Sequence, residues 1–164
     1  MASGNTLVIF TATDNRPPAT AYATFDTRNT HPVLDFDAAT DEEAVFSAVL
    51  PRHYGSGGTT ITIYWAATSA TTGDVVWTGA WERIADEGQD MDADSFATAN
   101  SATATTAGTS GSLQYTTIAF TDGAQMDSVA LGEAFRLKIT RDANAVGDTM
   151  TGDAELWAVE IKET

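Results

Sequence analysis

The stretch that decides the fold is Ala134–Arg141, which reads AFRLKITR. Phe135, Leu137 and Ile139 occupy alternate positions, and the residues between them are charged or hydroxylated. Successive side chains of a β-strand point to opposite faces, so this pattern predicts a strand with one buried face. An amphipathic helix would repeat its apolar residues every three or four positions instead.

The same alternation recurs along residues 59–65, where Ile61, Ile63 and Trp65 occupy one face. Further segments favour strands because β-branched and aromatic residues lie between turn residues. These segments are residues 6–11, 21–26, 33–37, 43–50, 74–84, 112–120 and 157–162.

Three of the four tryptophans alternate with polar or small residues in predicted strands. Trp65, Trp77 and Trp157 lie at positions that share a face with other apolar residues, so we expect them in the core. Trp81 lies near the end of its strand beside Glu82 and Arg83, and it is the candidate for an exposed ring.

Eight or nine strands separated by Gly and Pro turns, with helix favoured only for single turns, predict an all-β fold. We expect an antiparallel two-sheet sandwich, jelly-roll-like, with about eight strands. Residues 21–164 form this domain, and residues 1–20 form an N-terminal arm or a first edge strand. The long connection over residues 86–112 is either a functional loop or, around residues 101–107, a weak edge strand.

Composition limits the function classes. The chain has 164 residues, no cysteine and a net charge of −15, which disfavours binding to nucleic acid or to an anionic membrane. The N-terminus lacks a basic region followed by a long apolar run, so we expect no signal peptide and folding in the cytoplasm.

No catalytic, cofactor-binding or metal-binding residues are predicted. His31 and His53 lie in predicted turns, and Asp35 with Asp37 is expected to be a solvated pair at a sheet edge. Residues 90–94 resemble the opening of a calcium loop, but Ser95 replaces the turn glycine that such a loop needs. A solvated acidic loop over residues 86–94 is the preferred interpretation.

Aromatic residues leave a carbohydrate-binding module or host-recognition β-sandwich open as an alternative. This hypothesis predicts two or more coplanar exposed rings from a set of four. The set is Tyr54, Tyr64, Trp81 and Tyr115. An enzyme that cleaves polysaccharides would need two facing carboxylates, which the sequence does not nominate.

Five stretches together resemble small structural proteins of tailed bacteriophages. They are residues 23–29 (ATFDTRN), 31–37 (HPVLDFD), 49–54 (VLPRHY), 63–70 (IYWAATSA) and 148–156 (DTMTGDAEL). The resemblance implies a jelly-roll virion protein of the capsid-decoration or tail-fibre type, and it carries no functional residues.

We therefore predict a phage virion structural protein that is not an enzyme and needs no cofactor. It would self-associate, as a trimer, and contact other virion proteins such as the major capsid protein. Its location would be the virion, after assembly in the host cytoplasm.

Overall fold

A computed structural model describes residues 4–85 and 87–164. These residues form ten strands and two single turns of 3₁₀ helix, over Ala12–Asp14 and Ala124–Met126. The strands are β1 (Thr6–Thr11), β2 (Thr24–Arg28), β3 (His31–Phe36), β4 (Glu42–Val49), β5 (Thr59–Ala67), β6 (Asp74–Ile84), β7 (Asn100–Thr105), β8 (Gln114–Phe120), β9 (Ala134–Arg141) and β10 (Ala154–Glu163). Nothing helical in the described ranges is long and apolar enough to cross a membrane.

The strands form two antiparallel sheets, which confirms the predicted sandwich. The six-stranded sheet has the order β2-β3-β10-β5-β8, and β1 pairs with β10 beside it. The four-stranded sheet has the order β4-β9-β6-β7. β4 and β5 belong to different sheets, so the glycine-rich turn over residues 55–58 connects one sheet to the other.

The long connection and the N-terminal segment each contribute a strand. Part of the long connection forms β7, an edge strand that pairs with β6, as the strand alternative predicted. In the N-terminal segment, β1 pairs with β10 from Thr6 to Thr11.

The core lies between the sheets. Phe135, Leu137 and Ile139 are fully buried, as their alternation predicts. Trp65 and Trp77 from opposite sheets meet with ring centroids 5.8 Å apart. Burying one large apolar side chain contributes roughly 1.5–3 kcal/mol, so contacts of this kind hold the sheets together.

Arg141 ends the deciding stretch with a fully buried side chain. Its guanidinium donates to both carboxylate oxygens of Asp148, at 2.8 and 3.1 Å. It also donates to the carbonyl oxygens of Phe36, Met150 and Gly152. The alternation of β9 therefore continues to its last residue, and hydrogen bonds compensate for burying the charge.

Candidate functional site

Three aromatic side chains lie next to one another on the outer face of the six-stranded sheet. They come from neighbouring strands: Tyr115 from β8, Tyr64 from β5 and Trp157 from β10. Tyr115 is 68% exposed, Trp157 is 43% exposed and Tyr64 is half-buried between them. We call these three residues the aromatic strip.

Strand alternation places the two tyrosines. Tyr64 lies between Ile63 and Trp65, which are fully buried, so its own side chain points outward. Tyr64 and Tyr115 are direct cross-strand partners with ring centroids 5.0 Å apart. Such pairs stabilise a sheet, and here they also fix the positions of the rings.

A β-bulge places Trp157. Leu156 pairs with Trp65, and Ala158 pairs with Tyr64, which is adjacent to Trp65 in β5. Trp157 therefore has no partner in β5 and is the extra residue of the bulge. A bulge interrupts the two-residue period and redirects a side chain. The prediction that Trp157 is a core residue was therefore wrong.

The remaining nominated rings do not reach this face. Trp81 is fully buried against Phe120 and Phe135, contrary to its predicted exposure. Tyr54 is buried as well, and its hydroxyl donates to Asp122 at 2.8 Å. Burial raises the pKa of Tyr54 well above its ordinary value, and the Asp122 bond adds to this effect.

The rings of the aromatic strip are not coplanar, which corrects that part of the alternative hypothesis. Tyr64 makes an angle of 61° with Tyr115 and 75° with Trp157. Its hydroxyl donates to Glu160 at 3.1 Å. The strip therefore presents a stepped surface with the carboxylate of Glu160 beside it.

A pocket with a volume of about 300 Å³ adjoins Trp157. We call it the end pocket, and its lining residues are Arg28, His31, Val33, Ala66, Gly111, Leu113, Glu155 and Trp157. Arg28 and Glu155 form an ion pair at 2.6 Å, and Arg28 also donates to the carbonyl of Thr68 at 3.2 Å. Most of the other walls are apolar, so the pocket combines an apolar surface with a few fixed polar groups.

Asp35 lies beside Glu155 in the ladder between β3 and β10. Desolvation, followed by the charges of Asp153 and Glu155, raises the pKa of Asp35 to about 6. Strands β2 and β10 lie on either side of β3. The prediction that Asp35 lies at a sheet edge was therefore wrong. Asp37 lies just beyond β3 and accepts hydrogen bonds from the backbone of Ala39 and Thr40.

The other sequence candidates do not form a site together. His31 lines the end pocket, whereas His53 is exposed in the turn after β4. Asp90 accepts a bond from the backbone of Asp92, which makes residues 90–94 a local turn. Over residues 4–85 and 87–164, no three His, Asp or Glu side chains cluster closely enough to hold a metal ion. Asp86, the first residue of the acidic run, lies outside the described residues.

The outer face of the four-stranded sheet is partly covered by the chain itself. Phe96 lies 5.0 Å from the guanidinium of Arg136 and 4.9 Å from the ammonium of Lys138, measured to its ring centroid. Part of the long connection is therefore packed against the protein. The aromatic strip on the six-stranded sheet has no such cover from the described residues of the chain, since Tyr115 and Trp157 are exposed.

Comparison with known proteins establishes the fold alone. No family model and no curated protein matches the sequence. The CBM22-2 xylan-binding domain of Xyn10C from Paenibacillus barcinonensis is similar in structure, with a TM-score of 0.53, 16% identity and 92% of each chain covered. The mannan-recognising carbohydrate-binding module TmCBM27 has a TM-score of 0.48 and 10% sequence identity, with 99% of each chain covered. A structure of infectious bursal disease virus, Gt strain, has a TM-score of 0.39 and 12% sequence identity, with 99% of this chain and 33% of the viral chain covered.

Proposed function

We propose that the protein is a non-catalytic carbohydrate-binding module that holds a glycan chain on the outer face of its six-stranded sheet. The observation that carries this proposal is the aromatic strip, in which three strands present rings side by side next to a pocket. The C–H face of a sugar ring packs against an aromatic ring as an apolar surface, while its hydroxyls bond to neighbouring polar groups.

The shape and charge of this face favour one class of glycan. The central ring, Tyr64, is tilted by 61° and 75° to its two neighbours, and a single flexible glycan chain can follow such steps. The net charge of −15 repels polyanions, so a neutral chain is favoured.

The side chains on this face are suited to binding. Glu155 is 5% exposed and held in its ion pair with Arg28, and Glu160 accepts the hydrogen bond from Tyr64. Fixed carboxylates of this kind accept bonds from sugar hydroxyls. The absence of enzyme activity is part of the proposal, and the solved structures of xylan- and mannan-binding modules with this fold are consistent with it.

The predicted virion role, with its trimer and its capsid partner, remains a separate hypothesis that rests on the sequence resemblance. A glycan-binding face suits a free-standing module and equally a host-recognition part of a virion. The fold and the aromatic strip support the glycan-binding alternative more directly.

Affinity electrophoresis against soluble neutral polysaccharides, including xylan, glucomannan and mixed-linkage β-glucan, tests the proposal. We expect retardation on at least one of them, with Trp157→Ala and Tyr115→Ala weakening binding about tenfold or more, which corresponds to about 1.4 kcal/mol. Phe25→Ala is the matched control, because Phe25 is 55% exposed and lies outside the strip. Equal losses in all three variants, or no binding to any neutral glycan, chito-oligosaccharides included, would contradict the proposal.

A further inference from the structure

We propose that the end pocket recognises the acetamido group of an N-acetylhexosamine, so that the bound glycan carries 2-acetamido sugars. This inference rests on the proposed function and names its ligand class. It depends on the juxtaposition of one carboxylate, one guanidinium and an apolar wall beside an exposed tryptophan ring.

The apolar part of the pocket fits a methyl group. Val33, Ala66, Leu113 and the ring of Trp157 line it from strands β3, β5 and β10 and from the residue just before β8. Sugar hydroxyls gain little from such walls, whereas burying one methyl-sized group contributes about 0.8 kcal/mol. The substituent that enters the pocket is therefore expected to end in an apolar group.

The polar part offers a donor and an acceptor side by side. Arg28 uses Nη1 for Glu155 and for the Thr68 carbonyl, and its Nε and Nη2 donate to no other group among the described residues. Glu155 accepts the Arg28 bond at Oε2, and within the described part of the chain no donor reaches its Oε1. The Arg28 side chain is 35% exposed, so ligand groups can reach it.

An acetamido group matches all three features. Its N–H donates to Glu155, its carbonyl accepts from Arg28, and its methyl group packs on the apolar wall. An O-acetyl ester has no N–H and leaves Oε1 of Glu155 without a donor, which costs about 1–3 kcal/mol for a buried polar group. A uronic acid would place its own carboxylate beside that of Glu155, which lines the pocket.

Gly111 keeps the guanidinium in place. Its backbone has a φ of +75°, and a Cβ at this position would lie 2.6 Å from Nη2 and 2.8 Å from Nε of Arg28. Its N–H donates to the carbonyl of Ala67, which fixes the loop against β5. Only glycine allows the backbone to lie this close to Arg28.

Isothermal titration with two tetrasaccharides tests the inference. Tetraacetylchitotetraose and cellotetraose share a β-1,4-linked glucose backbone and differ at C2, where one carries an acetamido group and the other a hydroxyl. We expect the acetylated ligand to bind about tenfold more tightly or better. The Leu113→Asn variant should reduce this ratio, and it should still fold because Leu113 is 49% exposed.

The outcomes separate the two proposals. Equal or tighter binding of cellotetraose, or binding only to xylan or glucomannan, overturns the acetamido inference and leaves glycan binding intact. No binding to either tetrasaccharide or to any polysaccharide overturns both. An unchanged ratio in Leu113→Asn, with Trp157→Ala abolishing binding, would place the acetamido group outside the end pocket and overturn the inference.

Discussion

A single guanidinium group joins separate parts of the chain at one end of the sandwich. Arg141 bonds to a carbonyl at the end of β3, to Asp148 and to two carbonyls of the segment that leads into β10. This segment precedes the β10 residues that carry Glu155 and Trp157. The buried ion pair therefore positions one edge of the end pocket from a distance.

Replacing Arg141 with Met should destabilise the protein strongly, because Asp148 would be left buried without its partner. The expected loss in the free energy of unfolding is about 3–5 kcal/mol. Urea unfolding followed by tryptophan fluorescence measures it. The double variant Arg141→Met with Asp148→Leu should recover part of the loss, and a loss below about 1 kcal/mol in the single variant would contradict the assigned role.

Asp35 gives the protein a pH-dependent stability. Its pKa is raised from 3.8 to about 6 in the folded state, so the folded protein binds this proton more tightly than the unfolded chain. Stability then falls as the pH rises from about 4 to about 6 and stays lowered above that range. Asp35→Asn should be more stable than the parent at pH 7, and the difference should disappear below about pH 4.

Urea denaturation at several pH values measures this difference. Asn retains an oxygen that accepts the bond from Thr68, so the substitution removes the charge and keeps the contact. Asp92→Asn is a suitable control, because Asp92 is exposed in the loop after β6 and its charge is not among those that raise the pKa of Asp35. A difference between parent and Asp35→Asn that does not change with pH would refute the explanation.

At the level of elements, alternation predicted the strands correctly except where a β-bulge interrupts the two-residue period. β1, β6 and β9 have the bounds that the pattern indicates, because each keeps a two-residue period or clear turn residues at its ends. β10 does not, since the extra residue at Trp157 leaves no trace in the types of its neighbours. The sequence therefore nominated two residues of the aromatic strip and assigned the third to the core.

The end pocket could not be predicted from the sequence, for a different reason. Its walls come from β2, β3, β5, β10 and the loop before β8, and the order of strands in a sheet cannot be deduced from alternation. The sequence placed His31 in a turn, whereas it begins β3 and faces Arg28 across the ladder.

The spacing between the sheets depends on Gly79 in β6. A Cβ at this position would lie 2.7 Å from Cδ1 of Ile61 and 3.1 Å from Cζ of Phe120 on the opposite sheet. Gly79→Val should overpack this contact and destabilise the fold by about 1–3 kcal/mol. Thr78→Val, one residue earlier and half-buried, is the control in the same unfolding measurement. Its free energy of unfolding should fall much less than that of Gly79→Val.

Across the whole molecule, the charge of −15 acts on folding and on binding in different ways. Mutual repulsion opposes the compact state and is screened by salt, whereas contacts with a neutral glycan carry no net charge. Raising NaCl from about 20 to about 500 mM should raise the melting temperature and change the affinity for a neutral oligosaccharide less than twofold. Affinity that falls steeply with salt would indicate an ionic ligand instead.

The division of labour within β5 has a consequence for protein engineering. Ile61, Ile63 and Trp65 pack in the core, whereas Tyr64 lies on the outer face. The positions of β5 that stabilise the fold are therefore separate from the position proposed to bind glycan. Randomising the outward positions of β5, β8 and β10 in a display library would leave the interior untouched. Such a library would be a source of new lectin-like reagents selected from one cysteine-free scaffold.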